Sequence, residues 1–243
     1  MYAYIDEIRR LLDELEHDHA SIDEVVESMI ETGLQHKSIF CFGAGHAGLI
    51  AQEMYYRAGG LMIVNPIFSR ELMLDTEPVT HTSQIERLHG YGELLAKEVP
   101  FQAGDLLIVH SVSGRNPVPI ELAMKASEQG VKIIAITNVK YTKKVTSRHH
   151  SGLKLNEVAD IVIDNHGDVG DGAITIEGTA QKVAPTSTVI GATIVNTLVS
   201  EVVKKWPLDH GTLPVFYSAN IDGGMEHNRE AIALYQDQIH YKF

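Results

Sequence analysis

The sequence predicts an α/β fold: a parallel sheet covered by helices on both faces. Five short, strongly apolar segments (39–42, 61–64, 106–109, 133–136 and 161–163) carry that prediction, because strands buried on both faces read as continuous apolar runs. They alternate with helical patterns over 47–58, 119–129 and the long stretch after Pro185 through Val203, as parallel strands with crossover helices require. Two of the apolar segments also run straight into small-residue loops that open a helix, SIFCFGAGHAG and DLLIVHSVSGRNPVPIELA.

The remaining elements follow in order. Ile5, Ile8, Leu11, Leu12 and Leu15 form one helical stripe, and Ser21 with Glu24 makes a capping-box pattern before a second helix that Gly33 is expected to stop. Within the irregular interval 65–90, the run SQIERLHGYGELLAKE reads as another helix. The interval 164–178 is rich in glycine and aspartate, and a loop of that length in a compact domain is often functional. A third loop, 207–224, leads into a last helix from Glu226 to about Gln238. With no flexible linker or internal repeat, residues 1–243 read as one domain. An N-terminal helical segment spans 1–36, a sheet core 37–205, and a C-terminal loop and helix 206–243.

Composition narrows the partners. Twenty Lys and Arg against 32 Asp and Glu give a formal charge of −12, which argues against a nucleic-acid surface. One bound phosphate stays compatible, since backbone N–H groups and hydroxyls attract it locally. Cys41 is the lone cysteine and sits in an apolar strand, so no disulfide framework exists and a reducing cytoplasm is expected. The charged N-terminus lacks a signal-peptide core, and no apolar run reaches the roughly 18 residues a membrane helix needs.

The two strand–loop–helix units carry the chemistry. Such a loop aims backbone N–H groups and the positive end of a helix dipole outward, which makes an anion site at the carboxyl ends of parallel strands. GAGHAG supplies Gly45 and His46 but is not a complete dinucleotide fingerprint. SVSG brings Ser111, Val112, Ser113 and Gly114 to a helix start marked by Asn116 and Pro117. Thr186, Ser187 and Thr188 open the long helix at a proline, a further anion-competent terminus. Each pattern also has a plain structural use as a tight turn or helix cap.

GAGHAG after a strand, the S-x-S-G loop after a later strand, and the helix starting at PTST together resemble the sugar isomerase (SIS) domain. The resemblance also covers AQEMYYRAGGLMIVNPI, SRHHSGLKLNEVADIVIDN and GGMEHNRE. It is nearest to uncharacterised single-domain members, with phosphoheptose isomerases and the isomerase half of glucosamine-6-phosphate synthase more distant. It implies a five-stranded, parallel three-layer α/β/α sandwich of flavodoxin-like type that binds a phosphorylated sugar as a homodimer or homotetramer, with no cofactor.

On that resemblance Ser111, Ser113, the amides of Val112 and Gly114, and Asn116 hold the phosphate. The family often has serine or threonine at the position of Asn116, and serine at the position of Ala47. Alanine at position 47 removes a hydroxyl contact worth about 1 kcal/mol. Glu53 matches the phosphoheptose isomerase glutamate that follows the first loop, where burial would raise its pKa toward that of a useful base. His46 and His227 are the histidine candidates for the acid.

Three functional readings follow: a sugar-phosphate isomerase or lyase working beside a carbonyl, a non-catalytic phosphosugar sensor, and a dinucleotide enzyme. The third is weakened because Asn65 and Pro66, not a ribose-binding acid, follow the second strand. No metal site is expected: His149 and His150 are adjacent and should diverge, and HExxH is absent. His81, His89 and His110 could meet only through the fold. Asp164, Asp168 and Asp171 read as turn formers, with a sugar-hydroxyl role for one of them as the lesser reading.

Overall fold

The structure is a computed structural model and describes residues 2–242, so positions 1 and 243 of the expected domain span lie outside the described residues. Two helices, α1 (Ala3–His17) and α2 (Ala20–Leu34), precede β1 (Ile39–Gly43), α3 (Gly48–Met54) and β2 (Val64–Pro66). Then come α4 (Thr80–Ile85), α5 (Tyr91–Glu98), β3 (Leu106–His110), α6 (Pro117–Ser127) and β4 (Lys132–Thr137). Short helices α7 (Val139–Thr142) and α8 (Leu155–Val158) lead to β5 (Ile161–Asp164), and a small hairpin pairs β6 (Gly172–Ile174) with β7 (Val183–Pro185). The long α9 (Ser187–Lys205) and α10 (Gly224–Tyr235) complete the chain.

The five main strands are all parallel in the order β2-β1-β3-β4-β5. The expected three-layer sandwich is therefore the one observed. Alternate side chains feed two separate cores, as a period of two demands. Ile39, Cys41, Leu106, Ile108, Ile134 and Ile136 face α1, α2, α3 and α9. Phe40, Phe42, Leu107, Val109, Ile133 and Ala135 face α5, α6 and α8. Burial pushes the Cys41 thiol up to about 12, which makes it inert packing material.

The edge strand β2 is covered by the C-terminal tail. Asn65 donates its side-chain amide to the Gln238 carbonyl at 2.8 Å and accepts the His240 N–H at 2.7 Å. The Tyr241 hydroxyl donates to the Met62 carbonyl at 2.6 Å. Covering an edge removes its open hydrogen-bonding row as a template for other chains.

The structure differs from the sequence pattern at several elements. The second strand starts at Val64 rather than Leu61; the buried Leu61 instead bridges antiparallel to Val215. The segment read as one helix over 83–98 is two, broken at Gly90, whose φ of +85° no helix interior accepts. Helix α2 begins before Ser21, so its capping box does not form. Gly33 does not stop α2; it lies inside it, where a Cβ would collide with the Trp206 ring. Among the described residues, no helix is long and apolar enough to cross a membrane.

Candidate functional site

The chain direction of the crossovers reverses between β1 and β3, and a crevice opens at the carboxyl ends of the strands at such a switch point. There the loop after β1 and the loop after β3 form one wall of a cavity of about 470 Å³. Helix α4 closes a second side, and Tyr141, Gly170 and Asp171 reach it from the far end of the sheet. That volume suits a small ligand.

Of the residues singled out in the sequence, Gly45, His46, Ser111, Val112, Ser113 and Asn116 line this cavity. The loop of Ser111–Asn116 owes its shape to Gly114, which takes φ +60° with the Thr137 hydroxyl 3.3 Å from where a Cβ would sit. None of the amides from Val112 to Asn116 donates to another protein group among the described residues. Successive free amides in such a turn form an anion-binding concavity. The first turn of α6 adds little: Pro117 and Pro119 have no N–H, and the Val118 N–H donates to the Glu86 carbonyl at 3.3 Å.

Asn116 leaves α6 without a side-chain cap and works sideways instead. Its Oδ1 accepts from Arg148 Nη1 at 2.7 Å, and its side chain lies near enough to the Glu86 carboxylate to favour the charged form. Burial raises the pKa of Glu86, against the opposing pull of Asn116, Arg87 and Arg148. Burial first, then the neighbouring Arg115 and Arg87 guanidiniums, pull Arg148 below the ordinary arginine range. A chain of large acidic excess thus gathers three arginines beside one cavity, which favours an anionic ligand there.

The other sequence candidates lie elsewhere. Glu53 does not line the cavity. It is ion-paired with Arg57 and accepts from Asn196 Nδ2 of α9 at 2.9 Å, so it joins α3 to α9. His227 stacks on Tyr217 at 3.5 Å between ring centroids, with its Nε2 3.2 Å from the Val215 carbonyl oxygen. Thr186, Ser187 and Thr188 open α9 as read, but the first two amides there are engaged. Asp171 Oδ1 accepts from the Thr186 N–H at 3.2 Å and the Ser187 N–H at 2.9 Å, and its Oδ2 accepts from the Ser187 hydroxyl at 2.6 Å.

Sequence reasoning missed Glu86, which sits just past α4 in a stretch read as the first turn of one helix over 83–98. A glutamate beside a helix break would have been the signal. Asp171 was visible as a loop aspartate; its place facing both the cavity and α9 depends on its left-handed φ of +68°.

His149 and His150 do not diverge. They occupy a turn rather than a strand or helix, and their ring centroids lie 4.0 Å apart. Burial and the adjacent His150 lower the pKa of His149, favouring its neutral form.

The sheet order and the switch-point cavity define an α/β domain of the SIS class, and the SIS domain family model matches residues 3–138. The chain belongs to the SIS domain family, within the group described as UPF0309 proteins. It is 45% identical to a UPF0309 protein of Shouchella clausii over 98% of this chain and 97% of that one. It is 38% identical to one of Halalkalibacterium halodurans, over 98% and 95%. Among solved structures it resembles the phosphoheptose isomerase GmhA of Neisseria gonorrhoeae (TM-score 0.51, 19% identity, 82% of this chain and 95% of that one). It also resembles the Vibrio vulnificus NanR protein complexed with ManNAc-6P (TM-score 0.50, 14% identity, 98% and 69%). At these identities the structural likeness shows the fold.

Proposed function

We propose that this protein binds a phosphorylated sugar in the switch-point cavity and isomerises it by proton transfer beside the carbonyl. The observation that carries the reading is the Ser111–Asn116 loop, with two hydroxyls and a run of unengaged amides, facing a carboxylate of raised pKa across one cavity. Membership of the SIS family, and neighbours that include a phosphoheptose isomerase and a protein complexed with ManNAc-6P, support the ligand class.

In this reading the amides after β3, with Ser111 and Ser113, hold the phosphate, and the arginine cluster supplies a favourable field. Glu86 removes the proton from the carbon next to the carbonyl, since a general base works best with a pKa near the operating pH. His46 serves the sugar oxygen, and Asp171 and Tyr141 take sugar hydroxyls. Glu53 holds α3 against α9 and has no part in proton transfer.

Ala47 favours a second reading, a sensor that binds the sugar phosphate without turnover, because a cavity-lining position carries no hydroxyl. The two separate in one experiment. A thermal-shift panel of hexose, hexosamine and heptose phosphates identifies the ligand, and solvent deuterium exchange into that ligand is then followed by NMR. Exchange that disappears in Glu86→Gln while binding persists supports the isomerase. Tight binding with no exchange in the unaltered protein establishes the sensor.

A further inference from the structure

A second concentration of chemistry lies outside the cavity, against α6. His89 stands just before α5, while His149 and His150 come from the turn between α7 and α8. The fold brings these separated stretches together so that one ring nitrogen from each lies within 4.8 Å of the others. Beside them is the carboxylate of Glu121, on α6 and 2% exposed. Its Oε1 is 3.6 Å from His89 Nδ1 and 3.8 Å from His149 Nε2.

Two of these groups are held from behind. The Gly90 N–H reaches both oxygens of Glu121, at 2.9 and 3.0 Å, and the Gly92 N–H donates at 2.9 Å. His149 Nδ1 is 2.8 Å from the Ser151 hydroxyl, which itself accepts the Leu153 N–H at 3.1 Å. The Ser151 N–H also donates to this Nδ1, at 3.4 Å, and the other ring nitrogen, Nε2, faces the carboxylate. Metal-binding histidines characteristically have their ring fixed through a hydrogen bond at the second nitrogen. Three imidazoles crowded together cannot all carry a proton without mutual repulsion, whereas one cation between them satisfies every lone pair.

We propose that His89, His149 and His150, with Glu121 beside them, bind one divalent transition-metal ion of the zinc type. Imidazole nitrogens suit zinc, nickel and copper, while magnesium and calcium require oxygen donors. A tetrahedral ion at about 2.0–2.1 Å from each nitrogen needs those nitrogens roughly 3.3 Å apart. The exposed rings of His89 and His150 can close that difference by adjusting their rotamers. Bound there, the ion clamps the start of α5 and the turn after Arg148 onto α6. Arg148 in turn holds Asn116 at the cavity wall.

The test uses untagged, chelator-stripped protein titrated with zinc by calorimetry and with cobalt(II) by visible absorption. One ion per chain, with the strong visible bands of low-coordinate cobalt, is the expected result. His89→Ala and His150→Ala, both at exposed positions, should each weaken binding at least about 10-fold with an unchanged circular dichroism spectrum. Glu121→Gln, which can still accept from Gly90 and Gly92, should weaken it about 10- to 100-fold. Ala at His17 and His19 should change nothing. The proposal is overturned if the unaltered protein takes up no zinc, or if the His89→Ala/His150→Ala double variant binds it as tightly as before.

Discussion

Helices α6 and α9 both start beside a proline and a hydroxyl-rich stretch, Pro117 opening the first and Pro185 preceding the second, yet the donors at their N-termini meet different partners. Before α6, the amides from Val112 to Asn116 engage no protein acceptor among the described residues. At α9 the protein supplies its own anion, since Asp171 takes both the Thr186 and Ser187 amides and the Ser187 hydroxyl. The macrodipole favours negative charge at both places. What differs is whether a loop returns a carboxylate to the site, so one terminus is left for a ligand and the other stabilises the fold.

The sharpest way to break this comparison is Gly114→Val. A β-branched residue at φ +60° beside Thr137 distorts the loop after β3, and the stabilisation by a phosphosugar should vanish. At about 100 times the dissociation constant that stabilisation is roughly 2.7 kcal/mol, and thermal shift reads its loss. Asp171→Ala should act through the fold, costing about 1–2 kcal/mol as helix caps do, measured by urea denaturation without ligand. Ser113→Ala should weaken phosphosugar binding by about 1 kcal/mol, close to fivefold, with unaltered stability of the free protein; calorimetry checks both halves. Thr188→Val, at a hydroxyl outside the cavity, should leave affinity unchanged.

The smallest effect concerns pH. Because burial raises the pKa of Glu86 in the folded chain, the folded state keeps a proton that the unfolded state has released. Stability should therefore decline as pH rises from the ordinary glutamate range through the raised value. Glu86→Gln should flatten that part of the profile, as followed by thermal denaturation at successive pH values.

The layers were legible because apolar runs such as 106–109 and 133–136 have one reading: a strand buried on both faces. The phosphate-competent loop was legible too, since Ser111, Ser113 and Gly114 are contiguous. What escaped depended on contacts between distant stretches. Glu86 lines the cavity just past the end of α4, where the sequence pattern read as one continuous helix. The engagement of α9 by Asp171 needs a left-handed residue in a loop, and a left-handed aspartate is not marked in sequence as a glycine is. Gly33 looked like a helix stop because its packing partner, Trp206, lies far along the chain.

That last contact has a practical consequence. Trp206 is the chain's single tryptophan; it is 3% exposed, covers Gly33, and lies 6.3 Å from the Tyr235 ring. It does not line the cavity. Intrinsic tryptophan emission is therefore an optical gauge of how α2, α9 and α10 dock together: it should redden when those helices separate and stay silent while a ligand enters and leaves.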